Sequence, residues 1–181
     1  MGPAPNTTLG TSNSIEPGRI CSDFCLIWLA TGPGKTTASP DELLVAVDLP
    51  QPAAGSGSAY VRLEYRRQME IAIVGASAVV TLEGGSVTAA KIAITALAPT
   101  IHRVEAAEQA LVGTDGGRSA AETAAAAAAA AAAPISDVRG SADYRRAMAA
   151  VITRRAIEAA IARAQGEDVA IPASNSTYAS I

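Results

Sequence analysis

The pattern of apolar and polar residues changes once along the chain, from an alternating period to a helical one. In "AYVRLEYRR" the two kinds of residue alternate, which predicts a strand with one buried and one solvent-facing side. The two sides are Tyr60, Arg62, Glu64 and Val61, Leu63, Tyr65. The apolar segments "IAIVGASAVVTLEGG" and "VTAAKIAITALAP" predict two more strands, joined by a hairpin at Glu83–Ser86.

After Pro99 the pattern becomes helical and predicts three helices. "RVEAAEQALVG" has a helical body and a stop at Gly113. "SAAETAAAAAAAAAAP" opens with Ser119 and Glu122, three residues apart as in a capping box, and ends at a proline. "SADYRRAMAAVITRRAIEAAIARAQG" is predicted to be capped by Ser141 and to end at Gly166.

The third helix is predicted to be amphipathic. Its apolar stripe would consist of Tyr144, Met148, Val151, Ile152, Ala156 and Ala159. Its arginines would lie mostly on the other side: Arg145, Arg146, Arg154, Arg155 and Arg163. The apolar face of a sheet must be buried against other elements, and the helices can cover it. The elements therefore predict an α+β fold, with a three-stranded antiparallel sheet packed against three helices. An earlier short segment, "LLVAVDLP" (residues 43–50), predicts a separate buried strand.

Composition narrows the class of protein. The 181 residues are 49% apolar but only 3% aromatic, so the core must be built from aliphatic residues and alanine. A net charge of −3 gives no basic field for nucleic acid. No apolar run approaches the ~20 residues of a membrane span. Two cysteines, Cys21 and Cys25, are too few for a disulfide framework or a zinc site. The small number of cysteines favours a reducing, cytoplasmic location.

The segment "LIWLATGPGKTT" invites comparison with a phosphate-binding loop, because Gly34-Lys35-Thr36 matches the end of that motif. The first glycine of the motif would fall at Leu29, and Pro33 lacks one of the amides that would face a phosphate. Pro40 disfavours a helix directly after the lysine. We therefore predict a Gly/Pro turn, and keep a nucleotide loop as the third-ranked alternative.

The remaining polar residues do not make a complete active site. His102 has no visible catalytic or metal-binding partner, so a structural or surface role is expected. Glu105 and Glu108 are expected on a solvated helix face. The charged segment "EYRRQME" is either a solvated turn or a positive rim that faces an anionic or electron-rich ligand. We predict no catalytic residue and no metal ligand.

The order of four segments resembles the C-terminal part of the FAD-binding medium subunit of molybdenum hydroxylases, the carbon monoxide dehydrogenase and xanthine dehydrogenase family. These segments are "GPGKTTASPDELLVAVDLP", "AYVRLEYRRQMEIAIVGASAVVTL", "APTIHRVEAAEQALVG" and "DVRGSADYRRAMAAVITRRAIEAA". The resemblance covers about residues 32–163. It implies that Gly34-Lys35-Thr36 is a turn in a flavoprotein, and it implies the same α+β domain that the pattern predicts.

The resemblance also implies a cofactor and its neighbours. Leu44 matches an apolar residue that packs against the flavin. Arg62 matches a cation near the flavin ring, and Glu70 matches an acidic residue in the loop after the paired arginines. The implied cofactor is FAD. The implied partners are a molybdenum-binding large subunit, which holds the molybdenum cofactor, and an iron–sulfur small subunit. Electrons would pass through FAD to NAD, a quinone or another acceptor.

The two glycine-rich segments that hold the FAD phosphates in this family have no match in this sequence. The chain is therefore predicted to contribute only part of a flavin site and not to be active alone. The alternative is a docking module that does not hold FAD by itself. The predicted regions are an irregular lead-in (1–31), the end of a flavin domain and a linker (32–58), the C-terminal-like domain (59–166) and a flexible tail (167–181).

Overall fold

The computed structural model describes residues 29–43, 47, 49, 51–66 and 69–170. The chain divides into two compact units at the bond between Gln51 and Pro52. The predicted flexible tail lies outside the described residues from position 171 onward.

The described part of the first unit contains a small hairpin. Strand β1 (Ala30–Gly32) pairs antiparallel with β2 (Lys35–Thr36), and Gly32 is opposite Lys35. Pro33 and Gly34 make the turn, where Gly34 has φ of +67°, a conformation that favours glycine. Because Lys35 lies in a strand and no helix starts there, the prediction of a turn is confirmed and the nucleotide loop is wrong.

The strand predicted at residues 43–50 lies largely outside the described residues. Of this segment the structure describes Leu43, Val47 and Leu49, and none of the three belongs to a strand. All three side chains are exposed, Leu49 to 86%. At these positions the prediction of a buried strand is wrong.

The second unit is built on a four-stranded antiparallel sheet with the order β3-β4-β5-β6. The strands are β3 (Ser56–Leu63), β4 (Val74–Glu83), β5 (Ser86–Thr95) and β6 (His102–Arg103). The prediction of three strands is corrected by β6, in which His102 pairs with Ile94 and Arg103 with Ala93. Two residues are too few to show an alternating pattern, so the sequence gives no periodic signal for this strand.

The three long strands confirm the sequence prediction. Ala59 and Val61 are buried while Tyr60 is exposed, as the alternation requires. Strands β4 and β5 are joined by the predicted hairpin, with Glu83 opposite Ser86. Gly84 and Gly85 have φ of +57° and +83°, as a type I′ turn requires of its two central residues.

Three helices follow in the described part of the chain: α1 (Glu105–Leu111), α2 (Arg118–Ala131) and α3 (Ala142–Ala164). Ser141 caps α3 by accepting a hydrogen bond from the Tyr144 amide at 3.2 Å, as predicted. The capping box predicted for α2 is wrong. The N-cap is Gly117, two residues before Ser119, and Glu122 instead pairs with Arg118 at 2.9 Å.

Helix α3 packs on β3 and β4, with α2 beside it and α1 next to β5. The core between sheet and helices is aliphatic and rich in alanine. The buried stripe of α3 differs from the predicted one: Tyr144 is 45% exposed, whereas Arg145 is 4% exposed. The physical reason is that the Arg145 guanidinium donates hydrogen bonds to acceptors inside the fold. No helix in the described residues has the length and apolar character needed to cross a membrane.

Candidate ligand-binding face of the sheet

One face of the sheet carries the helices, and the other face carries Tyr60 and Arg62. In the strand register Arg62 is opposite Gly75, and Tyr60 is opposite Ser77. Gly75 and Ser77 are in turn opposite Thr95 and Ala93 of β5. Because side chains alternate along a strand, these residues share the side of the sheet opposite Val61. Next to Tyr60 and Arg62, this side presents the small residues Gly75 and Ser77.

The side chain of Tyr60 lies across Gly75. A Cβ atom at position 75 would come within 2.7 Å of the Tyr60 hydroxyl oxygen, and within 2.6 Å of the Thr95 Cγ2 atom. A larger residue at position 75 would therefore displace the Tyr60 and Thr95 side chains. A glycine inside a strand pattern is the sequence signal that indicates such an approach, although it does not identify the side chain that makes it.

The charges on this face are paired along β3. Arg62 Nε contacts the Glu64 carboxylate, two residues further on the same side, which confirms that these two residues share a face. Burial raises the pKa of the Tyr60 hydroxyl above its ordinary value of 10.0, the Arg62 guanidinium lowers it, and the Glu64 carboxylate raises it. Tyr60 is therefore held in its neutral, hydrogen-bond-donating form beside a cation.

Glu70 lies in the loop between β3 and β4, of which residues 64–66 and 69–73 are described. Its carboxylate is 3.5 Å from Arg66 Nε and accepts a hydrogen bond from the Ile71 amide at 3.0 Å. Arg66 also donates to the Met69 carbonyl at 2.8 Å, where Met69 has φ of +50°. Glu70 thus shapes this loop, while Arg62 is placed by the strand that precedes it.

A second cluster, the arginine cluster (Asp137, Arg139 and Arg145), lies where the β3–β4 loop, the β5–β6 loop and the α2–α3 connection meet. Arg145 Nη1 donates to the carbonyl oxygens of Ile73 at 3.2 Å and Ala96 at 3.4 Å. Arg145 Nη2 donates to Asp137 Oδ1 at 2.5 Å. The backbone amide of Arg139 donates to the same oxygen at 2.8 Å.

These contacts explain the electrostatics of the cluster. Hydrogen bonds from the Arg139 amide and the Arg145 side chain lower the pKa of Asp137 below its ordinary value of 3.8. The carboxylate therefore keeps its charge and pairs with the buried guanidinium. Helical periodicity assigned Arg145 to the polar side of α3, and the sequence contains no local signal of its distant acceptors.

The other candidate residues are placed as follows. Leu44, Cys21 and Cys25 lie outside the described residues. His102 is exposed in β6. Glu105 is exposed as predicted, but Glu108 is buried, which corrects the prediction of a solvated face. The Glu108 carboxylate accepts hydrogen bonds from the Ile92 amide and from the Arg103 guanidinium. These donors stabilise a carboxylate inside the fold, which is why Glu108 can be buried. No group of residues suited to a metal ion occurs among the described residues.

Comparison with known proteins identifies the class of this unit. Residues 59–160, more than half of the chain, match the CO dehydrogenase flavoprotein C-terminal domain. The carbon monoxide dehydrogenase medium chain of Afipia carboxidovorans is 43% identical over 130 residues, which are 72% of this chain and 45% of the relative. The xanthine dehydrogenase FAD-binding subunit of Escherichia coli is 32% identical over 138 residues, 76% of this chain and 47% of the relative.

Solved structures agree in fold. Reconstituted CO dehydrogenase from Oligotropha carboxidovorans matches with a TM-score of 0.71 at 40% identity, over 76% of this chain and 48% of that chain. Quinoline 2-oxidoreductase from Pseudomonas putida 86 matches with a TM-score of 0.69 at 35% identity, over 77% and 47% of the two chains.

The α+β unit with its open sheet face is thus a domain of molybdenum-hydroxylase flavoproteins. The chain belongs to the family of the CO dehydrogenase flavoprotein C-terminal domain. It spans about half the length of the curated relatives it matches.

Proposed function

We propose that this chain contributes one wall of an FAD site in an oxidoreductase complex of the molybdenum-hydroxylase type. The observation that carries the proposal is the position of Arg62. Its side chain, about one-third exposed, lies on the face of the sheet opposite the helices, beside Tyr60. The names of the relatives, a carbon monoxide dehydrogenase medium chain and a xanthine dehydrogenase FAD-binding subunit, support the same assignment.

The residues of this face suit the ring system of a flavin better than its phosphates. Tyr60 offers an aromatic surface and a neutral hydroxyl donor, and Arg62 offers a cation. Gly75 is buried beneath Tyr60 and leaves room for that side chain. Planar conjugated rings are bound by aromatic contacts and a few placed polar groups. Gly116 and Gly117 precede α2, but the Gly117 amide already donates to the Asp115 carboxylate at 2.8 Å, so this amide is not free to bind a phosphate.

A bound FAD would supply the transfer of electrons to an acceptor such as NAD or a quinone. Arg62 would stabilise negative charge that develops on the ring when it accepts electrons. Leu44 and Glu70 complete the proposed contacts, with Leu44 as an apolar neighbour of the ring and Glu70 as an acid in the adjoining loop. No residue of this chain is assigned a catalytic role, and we propose that the chain is not active alone.

The proposed partners are a large subunit with the molybdenum cofactor and a small subunit with iron–sulfur clusters. One similar structure is described as a CO dehydrogenase that lacks the Mo-pyranopterin moiety of its molybdenum cofactor, and another as a Cu,Mo-CO dehydrogenase. The proposed location is the cytoplasm. The proposed C-terminal-like domain comprises residues 59–166.

The alternative function is that of a docking module that does not hold FAD by itself. It is favoured by apolar side chains exposed at one end of the second unit. Those of the β3–β4 loop are Tyr65, Met69 and Ile71, and those of the α2–α3 connection are Ile135 and Val138, the latter 97% exposed. Exposed apolar groups of this kind are typical of protein–protein contacts.

The experiment is a visible spectrum and cofactor analysis of the tagged full chain, isolated from its source together with the chains that co-purify. We expect flavin absorption and partner chains. Arg62→Ala should lower flavin content or slow flavin reduction. Arg62→Lys should keep much of the wild-type flavin content and reduction rate, because the positive charge is kept. Arg155→Ala removes an exposed arginine of α3 as a matched control. Partners without flavin would favour the docking module.

A further inference from the structure

The β3–β4 loop is attached at two separate points, once to the α2–α3 connection and once to the first turn of α3. The Tyr65 hydroxyl donates to the carbonyl oxygen of Arg139 at 2.7 Å, across 74 positions of sequence. Arg145 Nη1 donates to the carbonyl oxygen of Ile73 at the other end of the loop. Arg139 and Arg145 are themselves joined through Asp137. Both ends of the loop are therefore bonded to the arginine cluster.

The base of the loop is closed by one further bond, from the Ile73 amide to the Leu63 carbonyl at 2.8 Å. Ile73 thus donates to β3 and accepts from Arg145. Between these ends the described loop is held by its own groups, Arg66 to Met69 and Glu70 to Ile71. Such local bonds shape a loop but do not fix its position on the domain. The contacts of Tyr65 and Arg145 fix the position of the loop on the domain.

We propose that Tyr65 and Arg145 are positioning residues for the flavin face. They fix the β3–β4 loop to the α2–α3 connection and to the start of α3, so that Glu70 keeps a defined place beyond the strand that carries Arg62. This inference rests on the proposed function, because the position of the loop matters to FAD binding only if the sheet face binds the flavin. Neither residue is assigned a contact with the flavin.

Arginine suits this role because its planar group has several donors in a fixed arrangement. Here the Arg145 side chain is only 5% exposed, and its guanidinium bonds two backbone carbonyls and one carboxylate. A lysine ammonium has the same charge but cannot reach all three acceptors in that geometry. Arg145→Lys should therefore weaken the attachment while it leaves the charge in place.

The test is amide hydrogen exchange of the full chain, in Tyr65→Phe and in Tyr144→Phe as the matched control. Tyr144 is an exposed tyrosine near the same end of the unit. Loss of one hydrogen bond should raise exchange of the Ile73 amide about fivefold in Tyr65→Phe, with no change at Val80 within β4. Tyr144→Phe should change neither. Equal Ile73 exchange in wild type and Tyr65→Phe would overturn the proposal.

Arg145→Lys should raise exchange of Ile73 and also of Gly140, whose amide donates to the Asp137 carbonyl. If this variant does not fold, Tyr65→Phe alone decides. The second readout is retention of FAD by the isolated complex during gel filtration. Faster FAD loss from Tyr65→Phe than from Tyr144→Phe supports the proposal. Faster Ile73 exchange with unchanged FAD retention overturns the positioning role and leaves only a structural attachment.

The two proposals fail in different ways. A complex without FAD in the wild type contradicts the proposed function, and the assignment of these residues to a flavin face then falls with it. The Ile73 exchange still decides whether Tyr65 fixes the loop. A complex that holds FAD, with unchanged Ile73 exchange in both variants, contradicts the positioning role alone.

Discussion

Gly57 of β3 lies directly against the carbonyl oxygen of Ala160 in α3. A Cβ atom at position 57 would be 2.0 Å from that oxygen and 2.4 Å from the Ala164 amide nitrogen. The contact is between backbones, so no flexible side chain can move aside. Glycine at this position therefore sets how closely the longest helix approaches the sheet.

We predict that Gly57→Ala lowers the free energy of unfolding by about 2–3 kcal/mol, because α3 must shift away from the sheet to admit one methyl group. Denaturant unfolding measures the change. Gly32→Ala is the control, since a Cβ at position 32 meets nothing within 4 Å, and its effect should stay within about 0.5 kcal/mol. Equal stability of Gly57→Ala and wild type would contradict the close backbone contact.

Elements set by local chemistry were predictable from the sequence. The alternation around Val61, the two glycines after Glu83 and the serine before α3 each act within a few residues, and each forms the predicted structure. The resemblance to a flavoprotein family was equally accessible, because it depends on the order of segments. It is confirmed by the match of residues 59–160.

Features that depend on distant partners were not predictable in this way. Arg145 is buried because Ile73, Ala96 and Asp137 supply acceptors from three different loops. Glu108 is buried because a strand amide and Arg103 bind its carboxylate. Periodicity considers one element at a time and assigns any charged residue to the solvent. The roles of Leu44, Arg62 and Glu70 rest on the resemblance and stay predictions.

The two serines at helix starts provide a direct test of capping. Ser141 accepts a hydrogen bond from the Tyr144 amide, whereas Ser119 is exposed within the first turn of α2, after the Gly117 cap. We predict that Ser141→Ala costs about 1 kcal/mol of stability. Ser119→Ala should change stability by less than about 0.5 kcal/mol, since alanine favours a helix. Thermal or denaturant unfolding of both variants measures the difference, and equal losses would contradict the assigned caps.

The hydroxyl of Tyr60 gives the ligand-binding face a titration that can be followed without any ligand. The chain has four tyrosines, so the absorbance titration of wild type minus that of Tyr60→Phe isolates Tyr60. Its midpoint should lie above the ordinary value of 10.0, because burial raises this pKa. Arg62→Ala should raise the midpoint further and Glu64→Gln should lower it, since the cation favours the phenolate and the carboxylate opposes it.

The same shift makes stability depend on pH in a defined direction. A pKa that is higher in the folded than in the unfolded protein means that folding favours the protonated phenol. Its stabilising contribution is complete below pH 10 and is lost as the pH rises through the folded-state pKa. Above pH 10 the unfolding free energy of wild type should therefore fall more steeply than that of Tyr60→Phe, while below pH 9 the two profiles should run parallel. Parallel profiles across the whole alkaline range, or a Tyr60 midpoint at or below 10.0, would show that burial and Glu64 do not dominate at this hydroxyl.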